Sequence, residues 1–471
     1  MSSLNSFKNF MNKKRIYIKI LVLVLILFLS ISTLAAKCIL PGTEVETGEP
    51  EDEESAVSEE ESESEVIDGE ESTGTVAEDE EYYIAYFEVV SDEKSMHFEH
   101  RVANVFTISP DGTDKKLSYT DLDEKYDLSR IYVISPDGSK ISCGFYEGGR
   151  GAYGALCVID IATGELDTIV KFDYTESESM ELMKDIYGKP IWSHNGENIA
   201  YETVINPYTN NFSDGGISIV NINTYNVRAV DVNRDEASLE STTFLDPVLF
   251  SRDDSKLFNI FHTFYPKVED EEILGYSVRN EKLVAVDISS GETDTILDIS
   301  EFGDMEADFD DFNLFAQQDK IVFQVLGNFE EDGDIWICDS DGGNLLKLTD
   351  NTNLREQQPS ILDMPGSDGK IAYTGVDRYG TIPYQFNGGD IYIINIDGSG
   401  QVKITDDEID AAKPVFSPDG RYLAFVGYIY DSGVEYIEST EIEVYDMQSG
   451  EIKTVASGSN IDLIGWVKVS G

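Results

Sequence analysis

Phe416-Ser417-Pro418-Asp419-Gly420-Arg421-Tyr422-Leu423-Ala424-Phe425, followed by Glu443-Val444-Tyr445-Asp446-Met447-Gln448-Ser449-Gly450-Glu451-Ile452, decides how this chain folds. The first run closes one apolar segment, turns, and opens another. Pro418 presets φ for the turn and Gly420 completes it. The second run is β-branched and aromatic, and it ends in a Ser-Gly turn where glycine supplies the positive φ of a tight hairpin. Each apolar run has the length of a strand and is too short for a helix.

The pattern recurs along the chain. Its core, an aliphatic residue often followed by Ala and an aromatic, stands at Tyr83-Ile84-Ala85-Tyr86, Lys140-Ile141, Asn198-Ile199-Ala200-Tyr201, Lys256-Leu257, Lys320-Ile321, Lys370-Ile371-Ala372-Tyr373 and Tyr422-Leu423-Ala424-Phe425. Trp192-Ser193-His194-Asn195-Gly196 and Phe250-Ser251-Arg252-Asp253-Asp254 repeat the preceding turn. Four antiparallel strands per unit, returning about every 46 to 66 residues, predict an all-β chain folded as one β-propeller. The unit at Tyr82 has no preceding strand, whereas the C-terminus carries a surplus one at Asp462-Leu463-Ile464-Gly465-Trp466-Val467-Lys468-Val469. Trp466 falls where Trp192, Phe250 and Phe416 fall, so the last strand is expected to complete the first of seven blades. The first strands of units five and six, around Asn313-Leu314-Phe315 and Ser360-Ile361-Leu362, are weakly patterned and leave six or eight blades as alternatives.

The Ser-Pro-Asp-Gly turn, then x-Ile-Ala-Phe, then Ile-x-Ile-x-Asp, resembles the repeat of TolB-type, WD-like propellers over about residues 82 to 469. That family includes envelope scaffolds that bind partner proteins and propellers fused to peptidases. The resemblance implies the propeller fold and an extracytoplasmic setting.

Composition narrows the function. The chain has 471 residues, 91 Asp and Glu against 34 Lys and Arg, and a net charge of −57. A non-specific nucleic-acid binder needs basic residues to displace counterions, and adhesion to anionic lipid head groups needs them too. Hydrophobic residues at 41 % suffice for a large core, and four cysteines exclude a disulfide-dense scaffold. Lys8, Lys13, Lys14, Arg15 and Lys19 precede or edge an uncharged apolar run, 20–36. Residues 1–38 therefore read as a signal peptide or membrane anchor that places the bulk of the chain outside the cytoplasm. Cys38 is a candidate lipid-attachment site, with an uncleaved anchor or plain secretion as alternatives. Residues 39–80 are acidic and lack Lys and Arg, the composition of a disordered linker. Residues 81–471 form the propeller, expected to be monomeric.

Topology selects a working surface. In a four-stranded blade the one–two and three–four turns lie on one side, and the two–three and four–next connections on the other. The second set reads as long loops, 263–281 among them, and long loops on a rigid scaffold are where binding residues sit. Tyr265, Tyr379, Tyr384, Tyr428 and Tyr430, with carboxylates between them, suit a protein, a cationic peptide or a glycan. The leading expectation is a non-enzymatic binding propeller without a cofactor. The sequence has no Gly-x-Ser-x-Gly and no α/β segment to hold one. The alternative is a metal-dependent hydrolase or lyase acting on an extracellular polymer, with His97, His100, Asp304, Asp308, Asp310 and Asp311 as candidate ligands. The aspartates among them would also suit Ca²⁺. Cys143 and Cys157 would face each other across a hairpin, either as a disulfide or as small core residues, and Cys338 reads as core. Asp339-Ser340-Asp341-Gly342-Gly343 has the look of a calcium loop but the register of a three–four turn.

Overall fold

The computed structural model describes residues 81–91, 101–120, 127–146, 153–171, 184–205, 216–230, 232, 242–269, 272–302, 308–326, 333–351, 353–365, 368–377, 388–406, 409–430 and 437–469. They fall within one compact unit, Val76–Gly471. The signal or anchor, the acidic linker and Cys38 lie outside the described residues, as do His97, His100, Asp304, Tyr379 and Tyr384.

Seven four-stranded antiparallel blades form a propeller ring. Blade 1 spans 82–120, and its innermost strand is the C-terminal Ile461–Lys468. Blades 2 to 7 span 127–171, 184–230, 242–298, 308–347, 354–403 and 410–458. Blades 2 and 3 also touch through a single backbone bridge, Tyr153 to Ile186. Tyr82–Ser91 pairs with Ile461–Lys468 from Tyr82↔Lys468 to Glu88↔Ile461, so the chain's end closes the ring as its pattern requires. The weakly patterned segments of units five and six are full strands, Asp308–Phe315 and Leu354–Leu362.

The recurring Ile-Ala-aromatic pattern works through the period of two along a strand. Tyr83 and Ala85 pack toward blade 2 with Ile141, Cys143 and Cys157, while Ile84 and Tyr86 pack toward blade 7 with Ala424, Val426 and Ile442. Seven buried apolar clusters result, one at each blade-to-blade interface. Both faces of every blade are therefore apolar. Trp192 and Trp466 occupy equivalent places, and each indole N–H donates to a carbonyl of the preceding blade's inner strand, Val133 at 3.1 Å and Val415 at 2.9 Å.

The one–two turns share one hydrogen-bond device. The Ser135 hydroxyl donates to Asp137 and accepts the backbone N–H of Lys140 at 2.9 Å; Ser251 and Ser417 do the same with Asp253 and Lys256, and with Asp419 and Tyr422. Gly138 has φ +73° and accepts the N–H of Lys468 through its carbonyl, at 2.9 Å. A Cβ at Gly138 would stand 2.9 Å from the Lys468 nitrogen, whereas one at Gly196, with φ +70°, would meet nothing nearer than 4.0 Å. Both Gly→Ala changes carry the left-handed penalty of about 1–2 kcal/mol. Gly138→Ala should cost more than Gly196→Ala because it also pushes on the closing strand. Equal denaturation midpoints for the two variants would contradict that link.

The turns on this side are short and regular. Among the described residues the opposite side departs from expectation on blades 4 and 7. Residues 263–269 and 272–281 are not loop, because Lys256–Glu269 and Glu272–Asp287 continue as paired strands as far as Glu269↔Glu272. Tyr265 is paired in register with Ser277 on this ribbon. Tyr428 and Tyr430 are likewise strand residues, within Tyr422–Tyr430. Among the described residues no helix is long and apolar enough to cross a membrane.

Candidate functional site

Each blade's innermost strand lines the central channel and starts on the long-connection side. Asp308–Phe315, Leu354–Leu362 and Asp410–Phe416 each carry a bulge early in their course. At the bulges stand Asp311, Gln358 and Lys413, with φ of +49°, +56° and +55°. A left-handed residue with a side chain is strained, so its neighbours must hold it. They do so from blade to blade. The Asp311 carboxylate accepts the backbone N–H of Gln358 at 3.1 Å. The Gln358 side-chain oxygen accepts the N–H of Lys413 at 3.0 Å. The Lys413 ammonium donates to Asp462 on the closing strand. Blades 5, 6, 7 and 1 are thus laced around the channel mouth, Asp311 and Gln358 by holding the next blade's bulge and Lys413 by its bond to Asp462.

Asp310 and Asp311 are open to solvent yet enclosed by protein, the situation of groups on a channel wall. Burial and the adjacent Asp310 charge push the Asp311 carboxyl up to about 6, against the pull of Lys189, the Gln358 N–H and Arg355. Asp310 is raised mainly by burial, while the N–H of Asp311 and the charge of Arg355 pull it down. Lys189 and Arg355 make no ion pair with a carboxylate among the described residues, although the chain is strongly acidic. The mouth therefore combines two carboxyls, two cations and a strained backbone.

Beside it, His262 and Glu281 are register partners on blade 4 and share a 2.5 Å hydrogen bond. The other Glu281 oxygen accepts the N–H of Phe309 on the inner strand of blade 5, at 2.9 Å. Glu281 is buried, and nothing in its local pattern distinguishes it from a solvated acid.

Tyr430 donates its hydroxyl to Asp410, whose pKa is raised mainly by burial. Tyr428 packs against the blade 7–blade 1 core, and burial pushes its hydroxyl up to about 12. Both tyrosines therefore help hold blade 7 together. Asp308 opens the inner strand of blade 5 opposite Leu326. Cys143 and Cys157 are direct cross-strand partners, as their spacing implies, and both are buried thiols. Burial pushes Cys157 and Cys338 up to about 12. Asp339 accepts from Lys320 and Asn344 within a three–four turn. Among the described residues no group of three or more His, Cys, Asp or Glu is placed to hold a metal ion.

No protein-family model matches this chain, and no curated protein matches it. Solved structures do resemble it. A prolyl endopeptidase aligns at a TM-score of 0.50 and 11 % identity, over 80 % of this chain and 50 % of its own. The chain thus spans about half of that protein, and the likeness is one of propeller fold. An oligogalacturonate lyase from Vibrio parahaemolyticus aligns at a TM-score of 0.48 and 14 % identity, over 80 % of this chain and 85 % of that one. TolB from Acinetobacter baumannii aligns at a TM-score of 0.41 and 15 % identity, over 70 % and 66 %.

Proposed function

We propose that this chain is a non-enzymatic extracytoplasmic binding or scaffold propeller that takes a protein, peptide or glycan on its long-connection side, around the channel mouth. The observation that carries the reading is how the mouth's polar groups are used. Asp311, Gln358 and Lys413 hold neighbouring blades in place. His262 and Glu281 tie blade 4 to blade 5. That builds a polar rim on the side where the sequence places its long connections. The basic leader and the apolar run 20–36 support export or tethering through an anchor or a lipid on Cys38. The net charge argues against nucleic acid as the partner.

The test is a side-specific footprint. The full chain is immobilised and screened against peptide and glycan arrays, and amide exchange is mapped with each hit bound. Protection is expected on strand starts such as 308–311 and 354–358. Protection confined to the Ser135 and Ser251 turns would overturn the reading.

A second reading, a hydrolase or lyase acting on an extracellular polymer, draws on the raised carboxyls of Asp310 and Asp311 beside Lys189 and Arg355. It requires polymer cleavage that Asp311→Asn abolishes, and a stoichiometric metal in the purified protein if the chemistry is metal-dependent.

A further inference from the structure

The short turns of blade 3 depart from the repeat in one chemical respect. The places that hold Lys140, Asp160 and Glu165 in blade 2, and Lys256, Asp287 and Glu292 in blade 4, hold Asn198, Asn221 and Asn226. The backbone sets the equivalence. Lys140↔Asp160, Asn198↔Asn221 and Lys256↔Asp287 are the same register pair, and in each blade the third residue's carbonyl accepts the N–H of the second. In blade 2 the lysine spans to the aspartate at 2.8 Å. In blade 3 two shorter side chains meet instead, the Asn221 amide donating to the Asn198 oxygen at 3.3 Å.

The outer strand differs too. Those of blades 1, 2, 4 and 7 carry a bulge, and the next blade's turn packs there where Gly164 meets Ser118 and Gly342 meets Ile296. Val227–Val230 pairs with 217–220 without one. Short side chains and an unbulged strand leave a pocket of about 320 Å³, lined by Asn198, Ile219, Asn221, Thr224, Asn226 and Arg228. Ile219 packs with Phe250 and Leu257, so this is the face turned toward blade 4. Both short turns of blade 3 lie within the described residues.

No carboxylate lines the pocket, whereas four aspartates line the cleft between blades 4 and 5. Asn221 is committed to its turn, its side-chain oxygen accepting the N–H of Thr224 at 3.1 Å. Among the described residues the Arg228 guanidinium makes no ion pair. Arg228 supplies donors, and the amides of Asn198 and Asn226 supply donors and acceptors together. An anion only accepts, so the amide oxygens would oppose it. A hydroxyl both donates and accepts, and suits the whole set. The volume is at the low end of the ~300–1,000 Å³ of ligand pockets, room for about one or two sugar rings and not for a protein segment.

We propose that this pocket binds a saccharide, with Arg228 and the amides of Asn198 and Asn226 bonding its hydroxyls. The site goes beyond the reading above, because it lies on the short-turn side, away from the channel mouth.

The full chain is titrated with the methyl glycosides of glucose, galactose and N-acetylglucosamine, with acetate as control anion, and amide exchange is followed at 221–228. At least one glycoside should slow it saturably, about threefold at twice its Kd. Arg228 is exposed, so Arg228→Ala tests the site without touching the core; it should raise that Kd about tenfold. The double variant Asn198→Lys, Asn221→Asp restores the ion pair of blade 2 and its turn acceptor. It should melt no lower than the parent and lose the protection. Protection by none of the glycosides would overturn the proposal. So would equal protection by acetate, since the guanidinium alone would explain it, or a double variant that keeps the effect. A glycoside that protects only channel-mouth amides such as 354–358 would overturn it too, and leave the binding reading standing.

Discussion

Deleting residues 460–471 is expected to destabilise the entire ring, not only blade 1. The closing strand buries Ile461, Leu463, Trp466 and Val467, and its loss strips the blade 7–blade 1 cluster of three of its members. Burying one such side chain stabilises by roughly 1.5–3 kcal/mol, so the deletion costs at least about 5 kcal/mol. That is comparable to the whole stability of a typical domain, about 5–15 kcal/mol. The deletion also bares the edge of Tyr82–Ser91, so the truncated protein should aggregate as well as melt early. Trp466→Ala, which removes the indole but keeps the strand, should cost about 3–5 kcal/mol. A truncated protein that melts with the parent would mean that the ring does not depend on this pairing.

Acidifying from pH 8 to pH 5 should stabilise the protein, and one carboxyl on blade 7 should account for much of the gain. Glu443 is buried, accepts from Thr454 at 2.9 Å, and is pushed up to about 7, first by burial and then by neighbouring Glu441. Its ordinary value is 4.5. A carboxyl whose folded pKa is raised binds its proton more tightly in the native state than in the unfolded one. Its favourable protonated form is fully present below about 4.5 and is lost as the pH rises through 7. Ionising it at pH 8 therefore costs about 3 kcal/mol. Asp311, pushed up to about 6, adds to the same trend over a lower window. The turn carboxylates oppose it further down. Asp111, Asp253 and Asp287 are held at about 2 by hydrogen bonds from serine and threonine, and their stabilisation is lost as the pH falls below 3.8. Stability should peak near pH 5. Glu443→Gln should raise the thermal midpoint at pH 8, change little at pH 5 and flatten the profile between. An unchanged slope in that variant would show that Glu443 does not titrate in this window.

Much of this architecture was legible because a blade is written locally. The Ser-x-Asp-Gly turn contains its own donors and acceptors within five residues, and the Ile-Ala-aromatic alternation states which side chain faces which neighbour. Closure was legible for a related reason, since Trp466 repeats the place of Trp192 and leaves one strand over. The 263–281 ribbon was not. Pro266 within a strand-like run argues against a strand, and it is tolerated where, among the described residues, no strand pairs with that edge.

The sequence by itself determined the four-stranded blade, its turns and the strand left over to close the ring, because strands and turns are set by contacts between near neighbours in the chain; the count of seven was settled only by the full inner strands of units five and six. The tertiary structure alone decided which polar residues meet at the channel mouth. Asp311 reaches Gln358 across 47 positions, and Gln358 reaches Lys413 across 55. No local pattern marks such pairs, because the ring curvature that brings successive inner strands together exists only once all the blades have packed.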